Sequence, residues 1–121
     1  MPELASSERE IILYYNPDRP SASKTLGYAK GEGFALQDVN ILTNKFTGTQ
    51  LEELASKLKV TIEGLVNKEH LDYDEKFHNS NFSDDDWIKV LQKNPQFIKE
   101  PIAIRGHQAM FVKTPSDLSR L

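Results

Sequence analysis

The sequence predicts an α/β domain built on a four-stranded mixed β-sheet flanked by helices. Three observations carry this. A β-branched and aromatic run, IILYY, stops at Asn16-Pro17 and feeds a helix. A second strand-like run of mixed polarity, ALQDVNI, follows at the spacing of a βαβ crossover. Two short β runs near the end of the chain, IAI and AMFV, flank Gly106-His107 as in an antiparallel hairpin.

At 121 residues, 38% hydrophobic and 27% charged, the chain has the size and composition of one domain with its own core, spanning residues 1–121. Its formal net charge of −3 argues against general nucleic-acid binding, which calls for clustered excess Lys and Arg. There is no cysteine. Disulfides, thiolate catalysis, Cys-ligated zinc and iron–sulfur clusters held by this chain's own thiols are thereby excluded. The first ten residues lack the apolar segment of a signal peptide and no run has the length of a membrane span, so a cytoplasmic protein without membrane contact is expected.

Residues 1–9 are polar and aperiodic and read as a loose leader. The first strand is expected over Glu10–Tyr15. A helix capped by Ser21 or Ser23 should follow, carrying Thr25, Leu26, Tyr28 and Ala29 until Gly31 and Gly33 end it. Ala35–Ile41 reads as the second strand. Thr47 and Gln50 form a capping box, and Leu51, Leu54, Ala55 and Leu58 then recur at helical spacing. Val60–Val66 reads as a short helix capped by Thr61, and Leu71–Phe82 as an irregular connector. Ser83 should cap DDDWIKVLQKN, whose three leading aspartates suit the positive end of a helix dipole, and Asn94-Pro95 should end it. After the hairpin, Thr114-Pro115 opens a final helix with Leu118 and Leu121 turned inward. The order β-α-β-α-α-α-β-β-α, a βαβ unit, a helical insertion and a ββα unit, is that of a thioredoxin-like fold.

Against this order, YYNPDRPSASKTL resembles the opening of the arsenate reductase/Spx family, where a strand runs to Asn-Pro, the catalytic cysteine follows two residues on, and a Ser/Lys-rich turn leads into a Thr-Leu helix. TGTQLEELASKL is similar to that family's insertion helix, SDDDWIKVLQKNPQFIKEPIAI to its helix, Asn-Pro and x-Pro-Ile segment, and TPSDL to its terminal helix. The resemblance covers about residues 10–121. It implies a cis proline at Pro101, beside the active site. It also shows what this chain has replaced: Arg19 stands at the cysteine position with Pro20 after it, and Glu100, Thr114 and Asn67 stand where the family has arginines. A nucleophile and three oxyanion-binding positions are changed together, and Glu100 would repel an oxyanion. The resemblance therefore predicts a redox-inactive protein with no catalytic residues, and a vestigial site formed by Asn16, Pro17, Arg19, Pro20, Ser21, Ser23, Glu100 and Pro101.

Within that site the residues allow more than one use. Arg19 could line an anion site at the helix N-terminus, or lie in solvent paired with Asp18 or Glu100. Ser21, Ser23 and Tyr15 could donate to a glutathione thiolate, as in glutathione transferases of the same fold, or serve as caps and core. His70, His78 and His107 have no metal-ligand spacing, and Asp84–Asp86 point in different directions around a helix, so no metal is expected. Two functions remain open. One is a protein-interaction or regulatory module, by analogy with Spx, which contacts the RNA polymerase α-subunit, with an unidentified protein partner and no cofactor. The other is a cysteine-independent glutathione or anion binder of glutathione-transferase type.

Overall fold

The apolar first strand sets the architecture. In the computed structural model, which describes residues 9–70, 73 and 81–121, β1 (Ile11–Tyr15) lies in the interior of a four-stranded sheet of order β2-β1-β3-β4. β2 (Leu36–Asn40) runs parallel to β1, with Ile11 opposite Leu36 and Tyr15 opposite Asn40. β3 (Ile102–Arg105) is antiparallel to β1, with Tyr14 opposite Ile102, and β4 (Gln108–Phe111) closes the hairpin. The two-residue loop has Gly106 at φ +61°, which the first position of a tight hairpin turn requires and only glycine adopts freely.

Alternate side chains of β1 feed two cores. Ile12 and Tyr14 point to the larger one, with Ile102, Ile104, Leu51, Leu54, Trp87, Leu91 and Phe97. Ile11 and Leu13 point to the smaller one, with Ala29, Ala103, Val112 and Leu118. A strand buried on both faces reads as a continuous apolar run, which is why IILYY shows so little polarity.

α1 (Pro20–Gly31) is the crossover helix of the βαβ unit. It starts earlier than expected and with a different cap. Arg19 is the N-cap residue, without a side-chain cap bond, and Pro20 takes the first helical position, where its missing N–H costs nothing. Ser21 and Ser23 are therefore within the first turn and neither is the cap. The helix ends as expected, with Gly33 at φ +75° and Phe34 N–H donating to the Ala29 carbonyl at 3.0 Å.

α2 (Gly48–Leu58) has the full Thr47/Gln50 capping box, and α3 (Asp84–Lys93) has one from Ser83 and Asp86. Both cover the larger core. Two expected helices are corrected to 3-10 turns. Val60–Val66 shortens to Glu63–Leu65, with Thr61 Oγ1 accepting Gly64 N–H at 3.1 Å. The closing segment Pro115–Arg120 is also 3-10, because the Asp117 carboxylate turns back to accept the Lys113 and Thr114 N–H groups at 2.9 and 3.0 Å and holds the turn tight. Residues 1–8 of the leader, and residues 71–72 and 74–80 of the connector, including His78, lie outside the described residues. No helix among the described residues is long and apolar enough to cross a membrane.

Candidate functional site

The end of β1 and the start of α1 meet at a turn built by Asn16. Its Oδ1 accepts Asp18 N–H at 2.8 Å and its carbonyl accepts Arg19 N–H at 3.1 Å, so one buried side chain shapes the turn from inside. Opposite, Glu100 precedes β3, and the Glu100–Pro101 peptide bond is cis, as the family resemblance implies.

Antiparallel pairing of β1 with β3 carries these two segments to one place. Asn16 N–H donates to Glu100 Oε2 at 3.0 Å, and Arg19 Nε lies 3.3 Å from Glu100 Oε1. The carboxylate side chain is 1% exposed and the guanidinium 42% exposed, so the pair has a buried anion and a half-exposed cation. Oε1 has no hydrogen bond of good geometry, and the contact with Arg19 is a charge contact rather than a directed bond. Burial raises the Glu100 carboxyl above its ordinary value, and the Asn16 N–H and the Arg19 charge offset only part of that.

The pair stands at the back of a cleft of about 270 Å³ whose lining includes Arg19, Ser21, Asn67, Glu100, Pro101 and Lys113. Ser21 Oγ is buried there without a hydrogen-bond partner. Asn67 reaches the cleft because Asn67 N–H donates to the Phe97 carbonyl and Lys99 N–H to the Leu65 carbonyl, both at 2.7 Å, clamping the 65–67 segment against 97–99. Asn67 Oδ1 is turned to Glu69 N–H at 3.0 Å.

The remaining sequence candidates are placed elsewhere. Ser23 is exposed and lies outside the lining of the cleft. The Tyr15 hydroxyl donates to Asp38 Oδ2 on β2 at 3.3 Å, and burial followed by the Asp38 charge raises its pKa, the reverse of what an activated phenol needs. Pro17 is an exposed turn residue and Pro20 the exposed first residue of α1. Thr114 caps the closing turn through Asp117. Asp117 is held below the usual carboxylate range by the N–H bonds of Thr114 and Lys113. His70 stacks on Phe97 with ring centroids 4.5 Å apart, His107 is exposed on the hairpin loop, and Asp86 is used in the α3 cap. Among the described residues no group of three metal-ligating side chains converges.

Chemically, the site presents a buried carboxylate beside the α1 N-terminus, which repels an incoming anion. Lys99 and Lys113 sit at the outer rim, and the innermost charge is negative. Position 19 was legible in the sequence by its spacing from Asn16-Pro17. Asn67 as a cleft residue depends on the clamp between distant loops, and Lys113 on the pairing of Val112 with Pro101.

No protein-family model matches the chain, and no curated protein matches it by sequence. Solved structures do. An arsenate reductase from Vibrio cholerae superposes with a TM-score of 0.82 at 22% identity, covering 94% of this chain and 98% of that one. An arsenate reductase (ArsC) related protein from Brucella melitensis gives a TM-score of 0.74 at 14% identity, covering 96% and 97%. The likeness extends over nearly the whole of each chain and establishes a shared thioredoxin-like fold, the four-stranded mixed sheet with its flanking helices.

Proposed function

We propose that this chain is a redox-inactive relative of the arsenate reductases and Spx proteins that works as a protein-interaction or regulatory module. The observation that carries the reading is the Arg19–Glu100 contact, 3.3 Å between Nε and Oε1, at the place where the resemblance puts a nucleophilic sulfur. A chain without cysteine has no thiolate to attack arsenic. A buried glutamate beside the α1 N-terminus, hydrogen-bonded to Asn16, supplies the anion that the site would otherwise take from solution. What remains is a sheet with β2 and β4 at its edges and a cleft whose innermost charge is a carboxylate, which suits recognition better than turnover.

Two measurements test the reading. Glutathione-dependent arsenate reduction by the purified protein is expected at background, and turnover above it overturns the redox-inactive part. Affinity capture from the source cell's lysate, followed by reconstitution with the purified candidate, is expected to yield a stoichiometric complex. A chain that runs as a lone monomer under all such conditions overturns the module part.

A further inference from the structure

β4 is an edge strand, and its register fixes which of its backbone groups are left over. Val112 N–H donates to the Pro101 carbonyl at 2.8 Å, so with Ala103 opposite Met110 and Arg105 opposite Gln108, residues 108, 110 and 112 face β3. Ala109 and Phe111 turn their N–H and C=O groups outward, and none of these has a backbone partner among the described residues.

The edge does not open onto flat solvent. A groove of about 380 Å³ runs along it, bounded by Lys57, Leu58 and Lys59 at the end of α2, by His107 to Met110 on the strand side, and by Arg120 and Leu121 below. No Asp or Glu lines the groove, although the chain as a whole carries a net charge of −3. Arg120 is partly neutralised by Asp117 at 3.0 Å, whereas Lys57 and Lys59 have no carboxylate within ion-pair distance among the described residues. At the far end of the strand, Lys99 Nζ lies 4.9 Å from the centroid of Phe111, and Lys113 follows. Positive charge thus flanks the open edge at both ends.

Lys59 is also held at φ 60°, the left-handed residue after α2 and the only non-glycine residue at positive φ among those described. Glycine or asparagine is the usual occupant of that position. A lysine there carries a conformational cost for a side chain that delivers charge to the groove.

We propose that the outer edge of β4 docks an extended acidic segment of a partner protein as a fifth strand. Ala109 and Phe111 supply the backbone hydrogen bonds, and the flanking lysines pair with carboxylates of the segment. Strand addition selects a polypeptide over a nucleic acid of the same charge, which has no amide ladder to offer. The inference rests on the module reading above and names its surface and the chemistry of its partner.

The test is fluorescence anisotropy of the full chain with a labelled octapeptide alternating valine with aspartate or glutamate. Saturable binding that weakens with salt is expected. Charge reversal at Lys57 and Lys59 together is expected to weaken it about fivefold to tenfold or more, from two exposed pairs. Ala109→Pro, which removes an outward N–H and leaves the β3 ladder intact, should abolish it. The same peptide N-methylated at alternate amides should fail on unaltered protein, so the result does not depend on a variant folding. Lys59→Gly should raise Tm while weakening the peptide. No saturable binding, equal binding of the methylated peptide, or equally effective competition by a single-stranded oligonucleotide of the same charge overturns the proposal. A reconstituted partner complex that Ala109→Pro leaves intact removes the edge assignment while the module reading stands. Absence of any partner complex removes the module reading itself.

Discussion

Replacing Glu100 by glutamine isolates the charge at the filled site. The side chain is 1% exposed and accepts Asn16 N–H at 3.0 Å, and its partner Arg19 is 42% exposed. Glutamine keeps an oxygen acceptor for Asn16 and the same volume, and it removes a buried charge whose counter-ion Arg19 is half in water. Removing one member of a buried pair is costly when the other charge is left buried; Arg19 is left half in water instead, so the loss of the buried charge is expected to stabilise by about 0–1 kcal/mol near neutral pH. That corresponds to a Tm rise of up to about 5 °C for a domain of this size. Glu100→Ala instead strands the buried Asn16 N–H and is expected to cost about 1–3 kcal/mol.

The sign of the pH dependence follows from the raised carboxyl. A folded-state pKa above the unfolded one means the folded protein holds the proton more tightly. Its contribution to stability is full below the unfolded value and is lost as pH rises through the folded value. Urea melts of wild type and Glu100→Gln at about pH 7.5 and about pH 5 should therefore show the variant ahead at the higher pH and the gap closing at the lower. Comparing the two proteins at each pH cancels the titration of other carboxylates. A variant that is less stable than wild type by more than about 1 kcal/mol near neutral pH, with the gap closing on acidification, would show that the buried carboxylate is a net stabiliser and refute the reasoning.

Three further outcomes are expected. Arg19→Cys should give a thiol that alkylates slowly near neutral pH because Glu100 lies beside it, and adding Glu100→Gln should speed iodoacetamide labelling by about threefold to tenfold, read by mass spectrometry. Thr47→Ala removes the Oγ1 that accepts Gln50 N–H at 3.1 Å and should cost about 1 kcal/mol in a urea melt, with the loss centred on α2. Asp117 has a lowered folded pKa from the Thr114 and Lys113 N–H bonds, so its stabilisation is present above the unfolded pKa and lost as pH falls through the folded one; acid unfolding of Asp117→Asn should lack that limb.

The local parts of the fold were legible along the chain. A β-branched and aromatic run placed β1, the Thr47/Gln50 pair and the Ser83 cap placed α2 and α3, and Gly106-His107 placed the hairpin, because each is a signal within a few residues. The absence of a thiol was readable directly, whereas Arg19, Glu100 and Asn67 were singled out only through the family resemblance. The helix starts were less so. Ser21 and Ser23 are good caps in isolation, yet Pro20 fits the first helical position and takes precedence.

What those residues do together is set by pairing between segments far apart in the chain. Arg19 and Glu100 are far apart in the chain, and their contact exists because β1 pairs antiparallel with β3 in a register that puts Tyr14 opposite Ile102. The same register leaves Ala109 and Phe111 facing outward, and the clamp between 65–67 and 97–99 delivers Asn67 to the cleft. Each depends on pairing between distant segments, whose loop-closure entropy is met by the core as a whole and leaves no mark on any local pattern.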